Sequence, residues 1–167
     1  MKTTSIFRSL LVLFFSITLV SCSSEDASQA ETPQPTITLK NYTHSTFELE
    51  LLDLVNQDRV SKGLNALTII EEVSYLASTH DDYMITNGVA SHDNFELRSS
   101  TLKNSLSAIA VSENVASGFS TPSGTLAAWN ASPTHKANLE GSHTHYGLAV
   151  KADANGKKYY TLLFIRK

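Results

Sequence analysis

A single cysteine, Cys22, stands among 167 residues, so an internal disulfide is excluded and any fold must hold by packing alone. Glycine and proline are sparse, at 7 and 4 residues, which excludes collagen-like and low-complexity architectures. Charge of either sign is modest: 13 basic residues face 16 acidic ones, and no basic patch invites nucleic acid. Also missing are a Gly-x-Ser-x-Gly elbow, a Walker loop, a His-Glu-x-x-His helix and a cysteine placed as a nucleophile. No apolar run reaches the length of a membrane-spanning helix.

The one apolar run, Leu10–Val20, follows Lys2 and Arg8 and leads into Leu19-Val20-Ser21-Cys22. A short apolar core ending in small residues before a cysteine reads as a bacterial lipoprotein signal over residues 1–21, with Cys22 as the lipidated N-terminus. An ordinary secretory signal is the alternative. Removing residues 1–21 leaves 11 basic and 16 acidic residues, a net charge of −5. Residues 22–44 are polar and poor in large apolar groups, so they are expected to form a flexible tether reaching on the order of 25 Å. Its Ser-Ser-Glu-Asp start looks like the export tags of surface-exposed lipoproteins, or simply a soluble spacer. The expected location is the cell envelope, lipid-anchored at the outer membrane or cell surface, with the membrane as partner through Cys22.

Residues 45–167 have the length of one domain. Ser45-Thr46-Phe47-Glu48 is a capping box opening a helix, and Gly63 stops it. A second helix is expected from Glu71 to Asn87, with His80 on its apolar stripe as a buried, hydrogen-bonded residue rather than a ligand. Ser100–Ser107 is expected to form a short helix, and Ala108–Val111 a short strand that delivers Glu113 at its end. Thr121-Pro122 opens a further helix with Trp129 as core. Tyr146–Lys151 and Lys158–Ile165 alternate as strands around the turn Asp153-Ala154-Asn155-Gly156. Helices followed by a terminal hairpin imply an α+β domain with a small antiparallel sheet covered by helices.

The chemistry-bearing residues are His92 in Ser91-His92-Asp93, Glu113 in Ser112-Glu113-Asn114, and His135 in Ser132-Pro133-Thr134-His135. Ser132 suits an N-cap and Pro133 the first helical position, which puts His135 in the first turn, where the helix dipole disfavours an added proton. Glu113 is expected to be half buried and in need of a partner to stay ionised; the plainer reading is a structural carboxylate. Asn114 reads as a turn-shaping residue. His143 and His145 read as solvated loop residues ahead of a strand, and His44 belongs to the tether.

The order Ser91-His92, Glu113-Asn114-Val115-Ala116, Ala128-Trp129, Ser132-Pro133-Thr134-His135-Lys136-Ala137-Asn138-Leu139 and Tyr146-Gly147-Leu148-Ala149-Val150 resembles bacterial CAP domains. These are relatives of cysteine-rich secretory proteins, antigen 5 and plant pathogenesis-related proteins. The resemblance covers roughly residues 47–167 and implies a three-layer α-β-α sandwich with a cleft between His92, Glu113 and His135. Two imidazoles and a carboxylate are ligands of the kind that hold zinc or another divalent cation. Many eukaryotic CAP domains add a second glutamate after the tryptophan, but only Asn130, Ala131, Ser132, Pro133 and Thr134 separate Trp129 from His135, and Thr134 replaces the usual glycine. A general base apart from the ligands is therefore missing. The expectation is a ligand-binding module for a small molecule, lipid or protein; the alternative is a metal-dependent hydrolase or peptidase acting outside the cytoplasm.

Overall fold

The computed structural model describes residues 37–167; the expected signal, Cys22 and the tether through residue 36 lie outside the described residues. Ser45 opens α1 (Thr46–Ser61) with the expected capping box: its hydroxyl accepts from the Glu48 N–H, while the Glu48 carboxylate accepts from the Ser45 N–H. Two residues of β1 (Thr68–Ile69) precede α2 (Glu71–Asn87), whose end is set by Gly88 in the left-handed conformation at φ 70°. Then follow α3 (Phe95–Leu106), β2 (Ala110–Ser117), α4 (Pro122–Ala131), α5 (Pro133–Leu139), β3 (His145–Ala152) and β4 (Lys158–Arg166).

The four strands lie in the order β1-β3-β4-β2. Only β1 runs parallel to its neighbour, so the sheet is mixed where an antiparallel one was expected. Thr68 and Ile70 donate their N–H groups to Thr144 and Tyr146 of the β3 side, a pairing too short to leave a periodic pattern in the sequence. Central β4 is buried on both faces, which its near-continuous run Tyr159–Ile165 foreshadows.

One face of the sheet packs Tyr146, Leu148, Tyr160, Leu162 and Phe164 against Leu51, Leu52 and Val55 of α1 and Trp129 of α4. Trp129 is 1% exposed and donates its indole N–H to the Val115 carbonyl, the core role expected of it. The opposite face packs Ala149, Leu163 and Ile165 against Val73, Leu76 and Ala77 of α2 and Leu102 of α3. Each large aliphatic so buried contributes about 1.5–3 kcal/mol, and the two cores make three layers. Gly147 lets α2 lie against β3, since a Cβ there would stand 2.4 Å from the Ser74 nitrogen.

Several expectations need correction. Helix α3 starts at Phe95, five residues earlier than its polar sequence suggests, because Asn94 at φ 59° turns the chain into it without a side-chain cap. Strand β2 extends to Ser117, which places Glu113 and Asn114 inside the strand rather than beyond it. The expected tether packs over residues 37–44: Ile37, Leu39 and Tyr42 cover the α2 face, Tyr42 donates its hydroxyl hydrogen to Glu48 at 2.7 Å, and His44 bonds Ser74 at 2.8 Å. Spaced apolar residues among polar neighbours suffice once a face is available to receive them.

Candidate functional site

The site is built across β2, the edge strand. Peptide groups of its even residues face β4, as the Gly118–Lys158 bond in the same register shows, so those of odd residues face outward. Side chains alternate independently: Glu113 projects toward α2 and α3, Asn114 toward α5.

Glu113 is 4% exposed and accepts from Arg98 twice, at 2.7 Å from Nε to Oε2 and at 2.8 Å from Nη2 to Oε1. His92 Nδ1 lies 2.8 Å from Oε1 on the other side. Burial pushes this carboxyl up, but the hydrogen bonds from His92 and Arg98 outweigh it and hold it below the usual carboxylate value. Glu113 is thus more deeply buried than expected, and both its oxygens are engaged.

Arg98 was not singled out in the sequence. Its signal is a basic residue on the inward stripe of α3, three residues after Phe95 and four before Leu102. Beyond Glu113, its Nη1 donates to the Asp93 carbonyl at 2.7 Å and lies 3.0 Å from His80 Nδ1. His80 Nε2 in turn lies 2.7 Å from the Ser91 carbonyl. His80 is buried, as expected, and burial together with the Arg98 charge lowers its pKa, so the neutral ring donates to Ser91 and accepts from Arg98. The loop Ser91–Asp93 is therefore pinned from both sides of His92, and Glu113 fixes the His92 proton on Nδ1, which leaves Nε2 as the free lone pair.

His135 enters from the first turn of α5. Ser132 and Pro133 stand at the N-cap and first helical position as expected, but the Ser132 hydroxyl makes no capping bond; its carbonyl accepts from the Lys136 N–H at 2.8 Å. The helix is held from outside instead. Asn114 donates to the His135 carbonyl, Asn138 donates to the Glu113 carbonyl and to Asn114 Oδ1, and fully buried Arg59 donates to the Leu139 and Gly141 carbonyls. Asn114 is a strand residue that staples α5, not a turn former. The His135 pKa is lowered, as expected, but by burial and then by His92.

The His92 and His135 ring centroids are 6.4 Å apart with planes inclined at 50°. Two imidazoles sharing a tetrahedral zinc at about 2.0–2.1 Å would place their centroids roughly 5 Å apart. His92, with half its side chain exposed, has room for that adjustment. The pair would serve as two ligands only after that shift, whereas Glu113 is placed to orient His92, because its oxygens already serve Arg98 and His92. Among the described residues no group of three or more histidine, cysteine, aspartate or glutamate side chains is placed to hold a metal. Beside His92 opens a cavity of about 220 Å³ lined by His92, Phe95, Val111, Ser112, Glu113 and Asn138.

His143 does not lie in solvent: it is buried against Phe164 with ring centroids 5.0 Å apart, and Ser112 Oγ lies 3.2 Å from its Nε2. Burial, with the Arg59 charge nearby, pulls its pKa down to about 4. His145 begins β3 rather than preceding it.

Three solved structures of similar shape are of bacterial proteins. An outer surface protein of Borrelia burgdorferi superposes with a TM-score of 0.67 at 19% identity, covering 78% of this chain and 99% of that one, a likeness of fold alone. A cysteine-rich secretory protein from Staphylococcus aureus gives 0.60 at 26% identity over 72% of this chain, and an extracellular SCP-domain protein from Bacillus anthracis gives 0.62 at 29% over 72%. The match spans only 38% and 40% of those two longer proteins. No curated protein sequence matches the chain. Residues 52–164 match the model of the cysteine-rich secretory protein family, CAP, and the chain belongs to that family.

Proposed function

We propose that the protein is a cell-envelope CAP-domain lipoprotein, anchored through Cys22, whose cleft binds a ligand and whose His92–His135 pair takes a divalent cation. The observation that carries the cleft reading is the Glu113–His92 bond of 2.8 Å, which spends a buried, charge-paired carboxylate on fixing one exposed imidazole. A solvated loop histidine has no need of such support. The similarity to an outer surface protein and to an extracellular SCP-domain protein supports a location outside the cytoplasm. Replacing Cys22 with serine releases the protein from membranes; an unchanged membrane fraction overturns the anchor.

With a cation bound, the pair would supply a Lewis acid beside the cavity. This chain's own part is to orient His92 through Glu113, hold α5 through Asn114 and Asn138, and lower the pKa of His135 by burial. A second reading, metal-dependent hydrolysis, draws on the same pair, but no further acid stands between Trp129 and His135 to serve as a separate base.

Calorimetric zinc titration decides the metal reading. His92→Ala and His135→Ala each weaken binding by at least about 10 to 100-fold, and Glu113→Gln weakens it less. Binding fades below about pH 6, since an imidazolium has no lone pair for the metal. Equal affinity in wild type and the double histidine variant removes the metal from this site.

A further inference from the structure

The outer edge of β2 is closed unevenly. Val115 and Glu113 both turn their carbonyls outward, where Trp129 and Asn138 donate to them. Two residues upstream the same register turns the N–H and C=O of Val111 outward, together with the Glu113 N–H, and here the edge borders the cavity instead of a helix side chain. Two devices that usually blunt an edge, lysine and proline, do not occur between residues 108 and 117, and Ile109 is 66% exposed. Two N–H donors and a C=O acceptor spaced along one half-buried strand edge match the pattern of another peptide backbone and give an acyl chain nothing to bond.

We infer that the cleft takes an extended polypeptide segment by strand addition to Val111–Glu113, with one of its apolar side chains seated against Phe95 in the cavity. This rests on reading the cleft as a ligand site and adds the class of ligand. The occupant is a single strand rather than a second copy of the domain. The open stretch is short, ended by Asn138 at one side and by the Ile109 N–H, which turns back to Arg166, at the other. Helices α3 and α5 both contact β2, and Phe95 and Asn138 from them line the cavity on either side, which opposes a long flat sheet-to-sheet pairing. The bound segment would lie beside His92, the residue whose orientation the buried Arg98–Glu113 pair maintains.

The probe is the blocked peptide acetyl-Lys-Thr-Val-Thr-Val-Thr-Lys-amide, titrated with chelator present into the full chain and followed by amide NMR. Saturable shifts of the Val111 and Glu113 amides are expected. A peptide N-methylated at alternate residues on its bonding edge binds at least about tenfold more weakly, the cost of losing one or two hydrogen bonds. Val111→Pro removes only an outward N–H and leaves the β4 ladder intact, so it melts within a few degrees of wild type, loses binding by a similar factor and keeps its zinc affinity. Loss of zinc binding alone would sink the metal reading without touching this one. Equal binding of the N-methylated peptide, no saturation by about 5 mM, or a dimer in ultracentrifugation that Val111→Pro abolishes would overturn strand addition.

Discussion

The two edges of the sheet solve the same problem in opposite ways. Along the outer edge of β3 a partner recurs at every second residue: β1 bonds at Thr144 and Tyr146, Ser74 Oγ accepts from the Leu148 N–H at 3.1 Å, and Glu48 Oε1 accepts from the Val150 N–H at 2.8 Å. Ser74 and Glu48 are buried residues of α2 and α1, so this stretch of the edge is tied into the core. Along β2 the partners come from α4 and α5, they stop at Glu113, and the next outward groups meet a cavity. An edge bonded at regular intervals to buried helix residues serves stability, whereas an edge whose partners stop partway leaves backbone groups facing a cavity.

The largest effect expected is at the open edge. Arg98→Leu leaves Glu113 buried with its main charge partner gone, which costs about 3–5 kcal/mol and frees the Ser91–Asp93 loop. Urea unfolding should show the loss, and zinc affinity measured below the melting temperature should fall with it. A variant that keeps full stability would show that the pair is not the support of the site.

At the sealed edge Glu48→Ala removes the capping box, the Tyr42 contact and the Val150 acceptor together, a loss of about 2–4 kcal/mol. Zinc affinity should not change. A change there would mean that the two edges are coupled through the sheet and would break the comparison.

The smallest effect sharpens the packing between α2 and the central strand. Asp81 is fully buried: one oxygen accepts from Thr161 at 2.6 Å and the other has no hydrogen-bond partner among the described residues. Burial raises its pKa well above 3.8, so the fold prefers the neutral acid, and this contribution is present at low pH and lost as pH rises through the folded pKa. Asp81→Asn should therefore gain melting temperature over wild type as pH increases from 4 toward neutrality, by a few degrees for each kcal/mol. A gap that stays constant with pH would show that Asp81 does not change charge over that range. Glu113 works in the other sense: its lowered pKa contributes stability above about pH 4.5 that is lost on acidification.

Much of the fold was legible because local chemistry marked it. The capping box at Ser45, the bounds Glu71 and Asn87 of α2, the Thr121-Pro122 start of α4, whose Thr121 hydroxyl accepts from the Gly124 N–H, and the Asp153–Gly156 turn each depend on neighbours within a few residues. The three residues His92, Glu113 and His135 were legible through their resemblance to a known order, and the structure brings them to one place.

What the sequence determined by itself, then, is where α1, α2, α4, α5 and the hairpin turn begin, which positions are apolar, and that the domain lacks covalent staples, since all of these follow from composition and short-range spacing. Tertiary structure alone decided that Arg98 partners Glu113 across 15 residues, that Asn114 staples α5 from 21 residues away, that Ile37–Tyr42 pack, and that two residues suffice for β1. Each of those depends on surfaces brought together by folding, where the worth of a polar group is set by what desolvates it and what hydrogen-bonds it there, and neither is present in the order of residues along the chain.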